Sequence, residues 1–203
     1  MDKQRVLYVG CGHDKQAHKV FTGWELIRLD IDPGVKPDIV ASMTQMHPVA
    51  VASVDAVYSR HNLEHLEFHE VALALAEFRR VLKPGGFALI VVPDLQTVAE
   101  LILEGKLEET DYVSAAGPVA PIDTLYGFRP ALKEGHTFMA HRMGFTQRTL
   151  LRHLVSAGFS AGVVRSKRTR ELWAEARTLA GTPEVLPKIF PQAGAPVPVS
   201  ANS

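Results

Sequence analysis

Short aliphatic runs that stop abruptly constrain this chain more than any other feature. Arg5-Val6-Leu7-Tyr8-Val9 ends at Gly10-Cys11-Gly12, and the run at 25–29 ends at Asp30-Ile31-Asp32-Pro33. Further runs lie at 38–41, 54–58 and 87–92. Four to six residues is strand length, and nearly continuous rather than alternating apolar character belongs to strands covered on both faces, as in a parallel sheet. Parallel neighbours need a crossover between them. The order strand, loop, strand, short loop, strand, helix, strand therefore predicts an α/β domain.

Residues 64–82 are predicted as the helix of that pattern. Val71, Leu75, Phe78 and Leu82 fall at helical spacing, while Glu70, Glu77, Arg79 and Lys83 face water. Lys83-Pro84-Gly85-Gly86 ends it, because proline disfavours helical geometry just before it and glycine accepts the positive φ of a tight reversal. A second helix is predicted from Thr146, whose hydroxyl caps the open amides, with Phe145 and Leu150 spaced as a hydrophobic staple and Gly158 as the end. Residues 161–164 and 171–174 read as a closing hairpin around the basic stretch 165–170, the simplest reading of which is a solvated tip, with contact to a phosphate-bearing acceptor as the sharper one. Between these parts, 95–107 reads as helix and the remainder of 94–145 as an irregular insert, a kind of segment that is commonly functional. Five prolines after Gly181, and no charged side chain after Lys188, predict a flexible tail over 181–203.

Composition narrows the partners. The 203 residues are 46% hydrophobic and 22% charged, which fits one soluble domain over 1–180. Lys plus Arg and Asp plus Glu are both 22, so no global field draws a nucleic-acid backbone or an anionic membrane. Cys11 alone makes no intrachain disulfide, no signal-peptide pattern opens the sequence, and no apolar run reaches the roughly 20 residues of a membrane span. These features lead to the expectation of a cytoplasmic protein, monomeric or homodimeric, that binds neither nucleic acid nor membrane.

Open α/β sheets bind ligands at the carboxyl ends of their strands. The glycine turn after the first strand lies there, and Asp30 follows about 18 residues on, where such folds place an acid for ribose hydroxyls. A dinucleotide fingerprint needs a third glycine where this chain has Lys15, so a pyrophosphate site is disfavoured and a nucleoside without phosphates fits better.

With Leu7 to Gly12, Leu29 to Asp32, Leu63-Glu64-His65 and Arg80 to Gly86 in this order, the chain resembles the class I S-adenosylmethionine-dependent methyltransferases, in their small L-x-V-G-C-G, L-E-H and R-V-L-K-P-G-G type. The resemblance runs from about Val6 to Trp173. It implies a single Rossmann-like three-layer domain with a mostly parallel seven-stranded sheet and a C-terminal antiparallel hairpin. It implies S-adenosylmethionine as cofactor, with Gly10, Cys11 and Gly12 beside its methionine part, Asp30 on its ribose with Ile31 adjacent, and Ser42 and Met43 beside adenine. Ser59, Arg60 and His61 then lie near the sulfonium and the acceptor. Two acids of the family pattern are replaced, by Tyr8 and Ser42, and only residues 12–24 separate the first two strands, so the first crossover helix is expected to shrink to a turn or two.

The function so implied is methyl transfer to an oxygen or nitrogen atom of a small-molecule acceptor. His61 is the first candidate for a general base, because imidazole titrates near neutral pH, with His141 and Tyr126 of the insert in reserve. Tyr112, Asp123, Arg129 and His136 supply further polar groups for a lid. The departures at Tyr8 and Ser42 keep a non-catalytic nucleoside-binding or scaffold protein as the alternative. His61-Asn62-Leu63-Glu64-His65 also spells H-x-x-E-H, the pattern of one zinc-hydrolase class, but the segment follows directly on a strand end, where the first histidine falls in a turn, and no metal is assigned.

Overall fold

The computed structural model describes residues 3–114, 116–166, 168–179 and 184–191. Its main sheet has seven strands. Five are parallel: β1 (Arg5–Val9), β2 (Glu25–Asp30), β3 (Ile39–Val40), β4 (Val54–Arg60) and β5 (Leu82–Pro93). Helix α1 (Glu70–Val81) forms the crossover before β5; after β5 come, within the insert, α2 (Leu95–Leu103), a small hairpin of β6 (Tyr112–Ser114) and β7 (Gly117–Val119), α3 (Pro121–Tyr126) and α4 (Arg129–Lys133). The chain then forms α5 (Gln147–Ser156), β8 (Ser160–Ser166), β9 (Glu171–Arg177) and α6 (Leu186–Ile189). Spatial order in the sheet is β3-β2-β1-β4-β5-β9-β8, with β8 and β9 forming the antiparallel hairpin and β9 pairing with β5. This is the Rossmann-like α/β sheet that the aliphatic runs predict.

Burial follows the sheet's two faces. On one, Val71, Leu75 and Phe78 of α1 and Leu150 and Leu154 of α5 pack on Leu7, Val57, Ile90 and Leu172. On the other, Tyr8, Tyr58, Phe87 and Trp173 meet Phe21 from the first crossover, which is a single 3-10 turn at Lys19–Phe21. That short turn cannot cover the face. Val185 and Leu186 complete it, so residues 184–191 are not part of a loose tail. The cause is Glu175, fully buried on β9, whose carboxylate accepts hydrogen bonds from the backbone N–H of Glu184, Val185 and Leu186 at 2.6–2.9 Å. The other residues of the expected tail, 181–183 and 192–203, lie outside the described residues.

Three element limits differ from expectation. The helix predicted over 64–82 starts only at Glu70, because the Glu64 carbonyl is taken by the N–H groups of Arg142 (2.8 Å) and Met143 (3.0 Å), and Leu63–His65 is a 3-10 turn. Leu82 already pairs with Val54, so β5 begins before the Pro84-Gly85-Gly86 reversal. The helix expected over 95–107 closes at Leu103, with Gly105 at φ 80°. Elsewhere local rules hold: Thr146 caps α5 by accepting from Thr149 N–H, and the staple residues Phe145 and Leu150 are fully buried. Phe145 also bridges to Asp94, its carbonyl accepting from Leu95 N–H at 2.9 Å, so both ends of the insert leave the core side by side.

Candidate active site

The ends of β1 and β2 build one half of the site. Gly10 takes φ 64°, and a Cβ there would run into the Asn62 amide, so only glycine fits. The Gly10 and Cys11 N–H groups donate to the Leu29 carbonyl at 2.8 and 3.2 Å, fastening the turn to β2. Gly12, at φ 51°, donates its N–H to Asp30 Oδ2 at 2.8 Å, and Asp32 N–H donates to Oδ1 at 3.0 Å. The Asp30 carboxylate is therefore fixed against the glycine turn, and each oxygen keeps a lone pair for another donor. Beyond Gly12 lies open space, and the side chain of Ile31 is half exposed beside it.

A fixed carboxylate beside an open glycine edge has the donor-acceptor chemistry to hold a pair of sugar hydroxyls. Ser42 and Met43 follow β3, where the Ser42 hydroxyl accepts from Thr44 N–H and Met43 packs against the core. Cys11 is buried, and burial together with the Asp30 charge pushes its thiol up to about 11, so it stays protonated. Asp32 has the local role its position before Pro33 suggests, accepting from Gly34 N–H at 2.7 Å.

Asn62 joins this half to the other. Its amide Nδ2 donates to the carbonyls of Val9 and Arg60, both at 2.9 Å, and its side chain rests on Gly10. On its other side Arg60 and His61 face a cavity of about 520 Å³ beneath the insert, whose wall includes Tyr112, Asp123, His141 and Arg170. His61 is held in the left-handed region at φ 54°, its N–H donating to the Val91 carbonyl at 2.9 Å, and this strain aims the ring between two carboxylates. Nε2 lies 2.9 Å from Glu171 Oε1 and Nδ1 lies 3.3 Å from Glu64 Oε1. Burial alone would lower the His61 pKa, but its hydrogen bond to Glu171 and its ion pair with Glu64 outweigh burial and hold it near 9. Glu171 responds in kind: burial works upward, while hydrogen bonds from His61, Thr169 and Arg60 bring it down to about 2. His61 is thus an imidazolium with both nitrogens engaged. That arrangement does not suit a general base at neutral pH.

Glu64, His65 and His141 come together on the same wall, one ligand atom from each lying within 4.8 Å of the others. The H-x-x-E-H zinc reading thus fails at its first member, since His61 turns to Glu171 instead. Tyr126, the other reserve base, is 64% exposed at the end of α3 and lies off the cavity wall, and His136 is exposed as well. Asp123 is instead drawn inward by the Ala120 N–H (2.8 Å) and by Arg129 (2.7 Å). Nor is the basic stretch a solvated tip: Arg165 pairs with the buried Asp94 at 2.6 Å, Arg170 pairs with Asp111 at 2.6 Å, and Arg168 lines the cavity, while Lys167 lies outside the described residues. Sequence reasoning missed Glu171 and Asn62. Only the pattern of one hairpin residue at the strand end opposite Arg60 could have pointed to the former.

Comparison with known proteins agrees with this architecture. Residues 7–90 match the family model described as a methyltransferase domain. Among curated proteins none matches the sequence. A solved S-adenosylmethionine-dependent methyltransferase from Methanosarcina mazei is similar in structure at a TM-score of 0.58 and 15% identity, over 89% of this chain and 95% of that one. One from Mesorhizobium loti gives 0.57 and 19%, over 86% and 91%. The 1,6-didemethyltoxoflavin-N1-methyltransferase of Burkholderia thailandensis, solved with 1,6-didemethyltoxoflavin and S-adenosylhomocysteine, gives 0.56 and 16%, over 88% and 72%. The fold is the one these solved methyltransferases share. Residues 7–90 are similar to the family model of a methyltransferase domain.

Proposed function

We propose that this chain transfers a methyl group from S-adenosylmethionine to an oxygen or nitrogen atom of a small-molecule acceptor bound in the cavity under the insert. The observation that carries the reading is the His61-Asn62 junction, where one residue faces the cavity and the next closes on the glycine turn. Two compartments thereby share a single wall, which a transfer between two bound molecules requires. When bound, S-adenosylmethionine supplies a methyl group already activated by its positive sulfur.

The chain's own tasks are positioning and dryness. Asp30 orients a ribose, and Gly12 leaves room for it. Arg60, His61 and Glu171 lock into a charge-compensated wall, with Trp173 Nε1–H donating to the second Glu171 oxygen at 3.1 Å, so the wall does not reorganise when an acceptor arrives. The insert covers the acceptor and excludes water. An acceptor that must lose a proton meets the Glu64, His65 and His141 cluster rather than His61. The Burkholderia protein, with its small heteroaromatic compound, supports a small molecule as the acceptor class.

Titration calorimetry with S-adenosylhomocysteine tests the reading. Saturable heat is expected in the wild type. Asp30→Ala, which removes charge-assisted hydrogen bonds worth about 1.5–3 kcal/mol each, should weaken binding by at least about tenfold. Absence of heat in the wild type overturns the assignment, and binding without turnover across a broad acceptor panel returns the nucleoside-binding alternative.

A further inference from the structure

One wall of the acceptor cavity carries a cluster that cofactor binding does not use. Glu64 is 1% exposed, and neither of its carboxylate oxygens has a well-formed hydrogen bond, the nearest partner being His61 Nδ1 at 3.3 Å in an ion pair. A buried carboxylate in that state lacks the donors that normally compensate its desolvation. Beside it stand His65 and His141, their ring centroids 4.9 Å apart and their planes at 71°. Each is anchored through Nδ1 to a backbone carbonyl, His65 to Ala140 at 3.1 Å and His141 to Thr124 at 2.8 Å. A carbonyl can only accept, so both rings carry a proton on Nδ1, and Nε2 is the ring nitrogen left for a further partner. Metal-bound histidines are fixed in this way, one nitrogen on the ion and the other donating to a carbonyl or carboxylate.

We propose that Glu64, His65 and His141 bind a divalent transition-metal cation of the zinc class at the wall of the acceptor cavity. Two imidazoles and one carboxylate form a three-ligand set typical of sites that keep a position open. Zinc bonds of about 2.0–2.2 Å place tetrahedral ligand atoms about 3.3–3.6 Å apart, so the set, already within 4.8 Å, closes by a contraction of at most about 1.5 Å. All three residues line the cavity, so the open position faces it. Resting on the transferase reading, that position suits a hydroxyl or other oxygen of the acceptor, which the cation holds and polarises. His141 comes from the insert and the other two from the turn after β4, so the cation also pins the insert to the core.

The test uses the full chain, stripped with a chelator and titrated with Zn²⁺ alone, then with Co²⁺ for its visible absorption. One cation per chain is expected, with a tetrahedral or five-coordinate cobalt spectrum. His65→Ala and His141→Ala should each weaken binding at least about tenfold, while His136→Ala, an exposed histidine off the cavity, should retain the wild-type affinity. Failure of wild type to bind Zn²⁺ at micromolar concentration overturns the proposal, as does equal affinity in all three variants. S-adenosylhomocysteine titration of the same samples is read separately: heat there without metal binding defeats the metal site and leaves the transferase reading standing.

Discussion

Glu175→Gln probes what closes the thinly covered face of the sheet. In the wild type one carboxylate oxygen accepts from Val185 and Leu186 N–H at 2.6 and 2.9 Å, and the other accepts from Glu184 N–H at 2.8 Å and from Arg177 Nε at 2.9 Å. Glutamine keeps one acceptor and turns an NH₂ group toward donors at the other. Either two backbone amides or one amide and the Arg177 guanidinium then lose their partner, and Arg177 keeps only the exposed Glu184 carboxylate at 3.4 Å as counter-charge. At about 1–3 kcal/mol for each of the two stranded groups, the cost is about 2–6 kcal/mol. That is a large fraction of the roughly 5–15 kcal/mol that holds a domain folded. At about 2–4 °C per kcal/mol for a chain of this size, the melting temperature should fall by about 4–24 °C. Circular dichroism measures this. Trp173 fluorescence reports the local event, because its ring meets Phe190 at 5.5 Å. Glu184→Gln, at a 68% exposed side chain, serves as the control and should change stability by less than about 0.5 kcal/mol. A shift below about 2 °C for Glu175→Gln would refute the claim that this carboxylate docks the segment.

Two further outcomes follow from the site. His61 is raised to about 9 from 6.5, so its pairing stabilises the fold fully below pH 6.5 and is lost as pH climbs through about 9. Glu171 is lowered to about 2 from 4.5, so its share is present above pH 4.5 and is lost as pH falls through about 2. The pair should therefore contribute fully between about 4.5 and 6.5, with an alkaline decline. Imidazole NMR would show it, Glu171→Gln should move the His61 titration downward, and a wild-type His61 titrating near 6.5 would contradict the clamp. In the insert, Gly127 sits at φ 101°, and a Cβ there collides with the Met139 carbonyl. Gly127→Ala should lower acceptor turnover by at least about tenfold while S-adenosylhomocysteine affinity stays within about threefold, and a parallel loss of both would show that the insert is not an independent acceptor wall.

The sheet was legible because its strands are nearly continuous apolar runs. The meeting of the glycine turn with Asp30 was legible because the two are close in sequence and follow a local rule. What stayed hidden depends on partners far along the chain. Glu64 reads as the start of a helix until Arg142 and Met143 claim its carbonyl. Val185 and Leu186 sit among prolines that suggest a loose end, and nothing near them reveals the Glu175 carboxylate waiting on β9. His61 looks like a titrating base because its sequence neighbours do not show Glu171, brought beside it by the β5–β9 pairing. Periodicity captures what a residue owes its own element, and these residues answer to other elements.

The bridge between Asp94 and Phe145 gives the intervening stretch the geometry of an exchangeable cassette. Because its ends are already tied together, replacing the roughly fifty residues between them changes the closure entropy only slightly and leaves the seven-stranded sheet untouched. On the proposed function, new acceptor preferences arise by swapping that module while the proposed nucleoside grip at the glycine turn is inherited unchanged.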